Sequence, residues 1–381
     1  MIKEKPFEFL KRLNNGGSFS DEIVKNWYIA RSFVIDRLKD ITFTPDSNKH
    51  LHVVLVGDDA RMLSIARQVA LTAHYINYDE DYNDEKKSHR TVITIVTQKS
   101  RIKEILSEEE YLCNLPAYCK YVDKEKEPDN IDSYVDIEIH ISSDCPQKDN
   151  KAVMLFFHKA DVDEFFNRML DGDEDIFSID TRIACYASRM YKIGETINNL
   201  PAENIHDAKR YTMALNVFQY EKLKEAPKPL FIDADNMKQF ELRETLSNIF
   251  CSDCFESRAL AVKCISNGNT QNETELWEKY NEVLSKSEHA RWVVEKLIMG
   301  YRPLNAEERF QDEKLHVEFK GKEKIKNYRK SLKQNNEKDK LAHIDLCSYR
   351  DLRRINPDDL KYDSFLMLAI PKILKEVNKG K

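Results

Sequence analysis

Between Asp21 and Leu38 the apolar residues Ile23, Trp27, Ala30, Phe33, Val34 and Leu38 recur at helical spacing behind Ser20, a side chain suited to capping. The pattern predicts an amphipathic helix, and an apolar face of this kind offers a dimer surface unless it packs internally. Leu51 to Gly57 (LHVVLVG) is a β-branched run closed by glycine, and helical spacing follows at once from Ala60 to Ile76. Thr91 to Thr97, Tyr134 to His140 and Ala152 to Phe157 read as further strands, with a second helix starting between Ser100 and Leu106. Strands alternating with helical segments over this distance predict a parallel sheet with crossover helices. Val162 to Leu170, Ile176 to Leu200 and Ala208 to Leu223 are helical in period, and Ser266 to Thr274 has the composition of a linker. One long helix is expected from Glu275 to Met299. The lysine-rich tract Lys320 to Lys340 reads as an exposed loop or frayed helix, and the acidic stretch Asp79 to Lys87 as an exposed insertion.

Composition narrows the classes of function. The apolar runs are strand-sized, too short for a transmembrane helix, and the first residues lack the apolar core of a secretion signal. A protein without a membrane partner, in the cytoplasm, is the expectation. Lys and Arg number 60 against 66 Asp and Glu, a balance unsuited to coating long nucleic acid but compatible with a small anionic ligand. Of the eight cysteines, Cys251 and Cys254 form a C-x-x-C pair. Neither zinc ligation nor thioredoxin-like chemistry fits it, since Cys264 brings no matching partner and the pair does not follow a strand at the head of a βαβ unit. Reduced thiols and no bound metal are expected.

Two constellations carry chemistry. The first is the turn Val56 to Met62 (VGDDARM), at the place where a dinucleotide fold presents backbone N–H groups and a helix amino terminus to a pyrophosphate. Gly57 matches the first glycine of G-x-G-x-x-G, whereas Asp59 and Met62 stand at the second and third. The second strand ends in Lys99, Ser100 and Arg101 instead of an acidic ribose partner. Gly57, Lys99, Ser100 and Arg101 are therefore the candidate cofactor residues, for a phosphorylated ribose or for no nucleotide at all. Residues 50–160 resemble the dinucleotide-binding domain of potassium-uptake regulators, with eroded motifs.

The second constellation runs from Ser287 to Arg302 (SEHARWVVEKLIMGYR), through His343 to Leu352 (HIDLCSYRDL), to Asp359–Phe365 (DLKYDSF) and Ile370-Pro371. In order, spacing and residue type these blocks resemble the ryanodine-receptor repeat (RyR) domain of bacterial type. Tyr301 stands where tryptophan is usual, and Cys347-Ser348 replaces a branched residue and proline. The resemblance implies a small, mostly α-helical domain without established catalytic residues, found in bacteria beside dinucleotide folds and proposed to act in nucleotide-centred conflict or antiphage signalling.

The chain then divides into an N-terminal helical segment at 1–45, a degenerate Rossmann-like parallel-sheet domain at 46–170, a mainly helical connector at 171–270 and an RyR-like domain at 271–381. The fold class is α/β. His289, Trp292 and Lys296 fall at i, i+3 and i+7 and share one helix face, flanked by Glu288 and Glu295. Tyr301, Arg302, His343 and Tyr349 complete the candidate site. One reading has the aromatic groups stack a base while Lys296 or Arg302 meets a phosphate. The other has Trp292 in the core, His289 satisfied by Asp345 or a backbone carbonyl, and Lys296 snorkelling. Lys361 and Asp363 read as a surface ion pair. The sequence lacks G-x-S-x-G, P-loop and H-E-x-x-H motifs. The expected function is non-catalytic sensing of a nucleotide or nucleotide-derived ligand, passed to an effector protein or a second copy of the chain. The alternatives are an adaptor without a ligand and an NAD(P)-dependent enzyme.

Overall fold

A computed structural model describes residues 22–79, 89–108, 135–171, 247, 249–266, 273–318, 322–334, 342–357 and 359–378. The helices expected at Ile176–Leu200 and Ala208–Leu223, the cap Ser20, most of the 79–87 insertion and most of the 266–274 linker lie outside these residues.

Four strands, β1 (His50–Val56), β2 (Thr91–Val96), β3 (Ile137–Ser142) and β4 (Ala152–His158), form one sheet in the order β3-β2-β1-β4. Every neighbouring pair is parallel, with His52 level with Val92, Thr91 with Ile137, and His50 with Ala152. That register puts all the odd-numbered side chains on one face. Leu51, Val53, Leu55, Ile93, Ile95, Ile137, Ile139, Ile141 and Phe157 are buried there beneath α1 (Glu22–Leu38), α2 (Ala60–Thr72) and α4 (Lys159–Asp171), which follows the short α3 (Ile102–Glu108) in chain order. Phe33 of α1 meets Phe157 and Phe165 edge-on, with ring centroids 5.0 and 5.1 Å apart. The apolar face of α1 is thus consumed inside the molecule, Trp27, Phe33 and Val34 all being buried. It does not form the dimer surface its pattern allowed.

The even-numbered face is mixed: His52 bonds Thr94 across β1 and β2 at 2.8 Å and His140 bonds Glu138 at 2.6 Å, among apolar residues such as Val54, which is fully buried. Burial pushes the His52 imidazole down to about 4. Parallel sheets are usually apolar on both faces because crossover helices cover both. Here the connection from β3 to β4, residues 143–151, contains no helix and delivers none to this face.

The helical part comprises α5 (Phe255–Ile265), α6 (Glu273–Lys279), α7 (Asn281–Ile298), α8 (Ala306–Glu318), α9 (Lys322–Gln334), α10 (Tyr349–Ile355) and α11 (Leu360–Asn378). The helix expected at Glu275–Met299 is broken at Tyr280, where φ is −99° and ψ is 11°. The break lets Trp277 and Leu284 enter a core with α5 and α11, while Val293, Val294 and Leu297 enter the core of the sheet. α9 is a regular helix inside the lysine-rich tract, anchored by Ile325 and by Arg329 paired with Asp312 at 2.8 Å. Pro371 lies within α11, which continues past it. β5 (Arg302–Pro303) and β6 (Ala342–His343) form a two-residue parallel pair. No helix among the described residues is long and apolar enough to cross a membrane.

Candidate functional site

In an open parallel sheet, ligands settle in the crevice at the carboxyl ends of the strands where the strand order reverses. Here β1 is flanked by β2 on one side and β4 on the other, so the crevice lies between Gly57–Asp59 and Lys159. A groove of about 390 Å³ opens there. Gly57 has φ of 139°, a conformation that favours glycine. A Cβ added to it would lie 3.3 Å from both Lys159 Cβ and Met62 Cγ, so these side chains pack close against Gly57.

The charges are likewise committed. Asp59 caps α2, its Oδ1 accepting from Met62 N–H at 3.0 Å, and thereby occupies the helix end with the chain's own anion. Lys159 Nζ donates to Asp59 and, at 2.6 Å, to Asp163, which also accepts from Arg61 at 2.9 Å. The bonds to Asp163 and Asp59 hold the Lys159 ammonium above its usual range. At the end of β2, Arg101 donates to Asp58 at 3.0 Å and to Glu104 at 2.6 Å. Burial works against ionisation of Asp58, but the Thr97 hydroxyl and the Arg101 guanidinium outweigh it and keep the carboxyl below its usual range. Of the proposed cluster, Lys99 and Ser100 remain exposed, whereas Arg101 sits in this acidic network.

The other candidate residues are brought together. α7 ends in a Schellman motif, with Gly300 N–H on Leu297 O at 3.0 Å and Tyr301 N–H on Lys296 O at 2.9 Å. Gly300 takes φ of 83°, which folds Tyr301 back over the last turn. As a result Lys296 Nζ lies 5.5 Å from the Trp292 ring centroid and 5.9 Å from that of Tyr301, within cation–π range. β6 places His343 edge-on to Trp292 at 4.8 Å and to Tyr301 at 6.3 Å. His289 stacks beside Trp292 at 6.1 Å and meets Tyr349 at 5.7 Å. Trp292, Lys296, Tyr301 and Arg302 are half-buried, while His289, His343 and Tyr349 are buried. Arg302 already makes a two-pronged bond to Glu308, at 2.7 and 2.8 Å.

His289 Nε2 bonds the Cys347 carbonyl at 2.9 Å, so a backbone acceptor satisfies it and Asp345 does not. Burial pushes the imidazole down to about 4, against the opposing effects of that bond and of Glu288. Its Nδ1 lies 3.9 Å from Asp363, which is buried and whose carboxyl that burial pushes well above the usual range. Asp363 is therefore a core residue, in contrast to the surface pair expected for it. Between His343 and Tyr349 the chain passes from β6 to α10, which Ser348 caps by accepting from Asp351 N–H at 3.0 Å.

Glu288 and Glu295, which flank the aromatic stripe in sequence, belong with Arg291 to a charged stripe that is buried, not solvated. Glu288, Arg291 and Glu295, at i, i+3 and i+7, are each fully buried. Arg291 bonds both oxygens of Glu288, the shortest contact being 2.8 Å, and Glu295 at 2.7 Å. Arg258 of α5 approaches Glu288 to 2.8 Å as an ion pair, although its angle falls short of a hydrogen bond. Glu295 also accepts from Ser247 at 3.0 Å and from Lys296 at 2.7 Å, so the charge beneath the aromatic patch is tied into the core network. Burial opposes the ionisation of Glu288, but Arg291 and Arg258 pull its carboxyl down to about 2.

The C-x-x-C thiols, Cys251 and Cys254, are free and buried, and burial pushes Cys254 up to about 12. Among the described residues no group of three or more His, Cys, Asp or Glu side chains is arranged to hold a metal ion.

Comparison with protein-family models, with curated proteins and with solved structures finds no match.

Gly300→Ala is expected to cost about 1–2 kcal/mol, the penalty of the left-handed conformation for an L side chain. It should also release Tyr301 from Lys296. A urea titration together with tyrosine fluorescence checks both effects.

Proposed function

We propose that this chain is a non-catalytic ligand sensor whose seat is the Trp292–Lys296–Tyr301 patch, and that its ligand is a nucleotide or a nucleotide-derived signal. The observation that carries the reading is the half-buried ammonium of Lys296 lying over two aromatic rings that different elements hold in place. A base stacked on Trp292 or Tyr301 gains about 1–3 kcal/mol in comparable contacts. A phosphate on the same ligand competes with Glu295 for Lys296. The buried His289, His343 and Tyr349 then serve as the wall that orients Trp292.

The parallel order β3-β2-β1-β4 supports a Rossmann-like reading of residues 46–170. Its use as a scaffold is supported by Asp59, which caps α2, and Asp58, which pairs with Arg101, because both put negative charge at the end of β1. The compact helical unit around α7, α10 and α11 fits an RyR-like domain at 271–381, and with it a part in nucleotide-centred signalling. Together these favour sensing over NAD(P)-dependent chemistry.

Calorimetric titration with adenosine monophosphate and related mononucleotides tests the reading. Lys296→Ala is expected to weaken binding at least about tenfold and, because Lys296 also pairs with the fully buried Glu295, to lower the melting temperature, so binding is measured well below the variant's own transition. Trp292→Phe keeps most of the packing volume and is expected to weaken binding by shrinking the platform. Equal binding by parent and Lys296→Ala would remove this patch from the site.

A further inference from the structure

A second cavity, of about 450 Å³, lies at the opposite end of the sheet, where the amino ends of β1, β2 and β4 meet the first turns of α7. It is large enough for a small ligand, since such sites span about 300–1,000 Å³. It also lies where the sheet and the helical part meet, a common place for binding. Its walls are built from both parts: Asp46, Asp79 and Lys151 come from the sheet side, and Lys286 with Val283 from α7.

The charges on those walls are balanced, with two ammonium groups, Lys151 and Lys286, facing two carboxylates, Asp46 and Asp79. The neighbouring His89 is disfavoured as a cation by its burial. A ligand of a single sign gains little from such a field, because every attraction is offset by a repulsion nearby. A ligand carrying both signs gains twice. Lys286 and Asp79 lie 3.6 Å apart, an ion pair longer than a hydrogen bond, which sets opposite charges side by side on the wall. Pro45, Ile76 and Val283 supply an apolar wall beside these charges. The wall is held by Asn77, which is buried and donates to the Lys49 carbonyl at 2.7 Å, tying the loop after α2 to the segment before β1.

We infer that this cleft is a binding site for a small zwitterion with an apolar side chain, the chemistry of a free α-amino acid. The carboxylate sits between Lys286 and Lys151, the ammonium faces Asp79 and Asp46, and the side chain lies on Ile76 and Val283. A ligand there touches both the sheet and α7, the helix that also carries Trp292 and Lys296.

Calorimetric titration of the full chain with L-leucine, L-methionine and L-phenylalanine, each alone, tests the assignment. At least one is expected to bind saturably, and acetate or butylamine, which carry one charge each, at least about tenfold more weakly. Lys286→Met and Asp79→Asn should each reduce amino-acid binding at least about tenfold with an unchanged melting temperature, and Trp292→Phe should leave it intact. Three results overturn the assignment: no heat from any of the three up to millimolar concentration, inorganic phosphate binding as tightly as the amino acid, or unchanged affinity in both cleft variants. Because Trp292→Phe acts on the nucleotide patch and the cleft variants do not, failure of one site leaves the other independently measured.

Discussion

Replacing Glu288 with alanine is expected to remove about 3–5 kcal/mol of stability, the usual cost of leaving a buried charge without its partner. Two guanidinium groups depend on this one carboxylate. Arg291 bonds both of its oxygens and Arg258 pairs with it at 2.8 Å, and all three side chains are at most 1% exposed. Arg291 retains Glu295 after the substitution, whereas Arg258 pairs with no other carboxylate among the described residues. Arg353 and Glu282 supply the control, because they also lie 2.8 Å apart but are more than half exposed. Breaking that pair should cost no more than about 1 kcal/mol, since water and salt screen it. Urea midpoints of the two variants measure the contrast. Similar losses in both would show that the buried network is not what holds α5 against α7.

On acidification from pH 7 to pH 5 the parent protein is expected to lose about 2 kcal/mol more stability than His289→Gln does. The folded state holds His289 at about 4, below the ordinary imidazole value of 6.5. A histidine whose folded value is depressed contributes its full stability above the unfolded value. That contribution is lost as pH falls below 6.5, because the unfolded chain takes up a proton that the folded one refuses. His52, also held down to about 4, acts in the same sense. Asp363 and Asp253, both pushed up by burial, act in the opposite sense, losing stability as pH rises through their folded values. Comparison with His289→Gln cancels these other groups and isolates the one imidazole. Equal losses in parent and variant would mean that the His289 site admits the charged ring.

The strands were legible from local pattern: Leu51 to Gly57 is a short β-branched run closed by glycine, and residues 51–55 of β1 are all buried, as such a run implies. The stripe of His289, Trp292 and Lys296 was legible for the same kind of reason, and so was its proximity to His343 and Tyr349. What escaped the sequence depends on tertiary context. Tyr280 is an unremarkable helix residue, and nothing in the local pattern marks the break there, which falls between Trp277 and Leu284 of one core, while Val293 further along α7 joins the other. Glu288, Arg291 and Glu295 have the spacing of a solvated charged face, and only the arrival of α5 with Arg258 turns that face inward. The committed charges at the end of β1 were half legible, since Asp58 and Asp59 stand side by side in the sequence, but Lys159 reaches Asp59 from far along the chain.

The most direct test of the sensing account is thermal denaturation of the parent protein against mononucleotides, cyclic oligonucleotides and reduced and oxidised NAD. A ligand of the Trp292–Tyr301 patch supplied at about 100 times its dissociation constant adds about 2.7 kcal/mol, which the melting temperature will register. At least one compound bearing both a base and a phosphate is expected to give that stabilisation, with the shift abolished in Lys296→Ala and no NAD consumed. A melting temperature unmoved by every nucleotide, or a shift that survives in Lys296→Ala, would contradict the account.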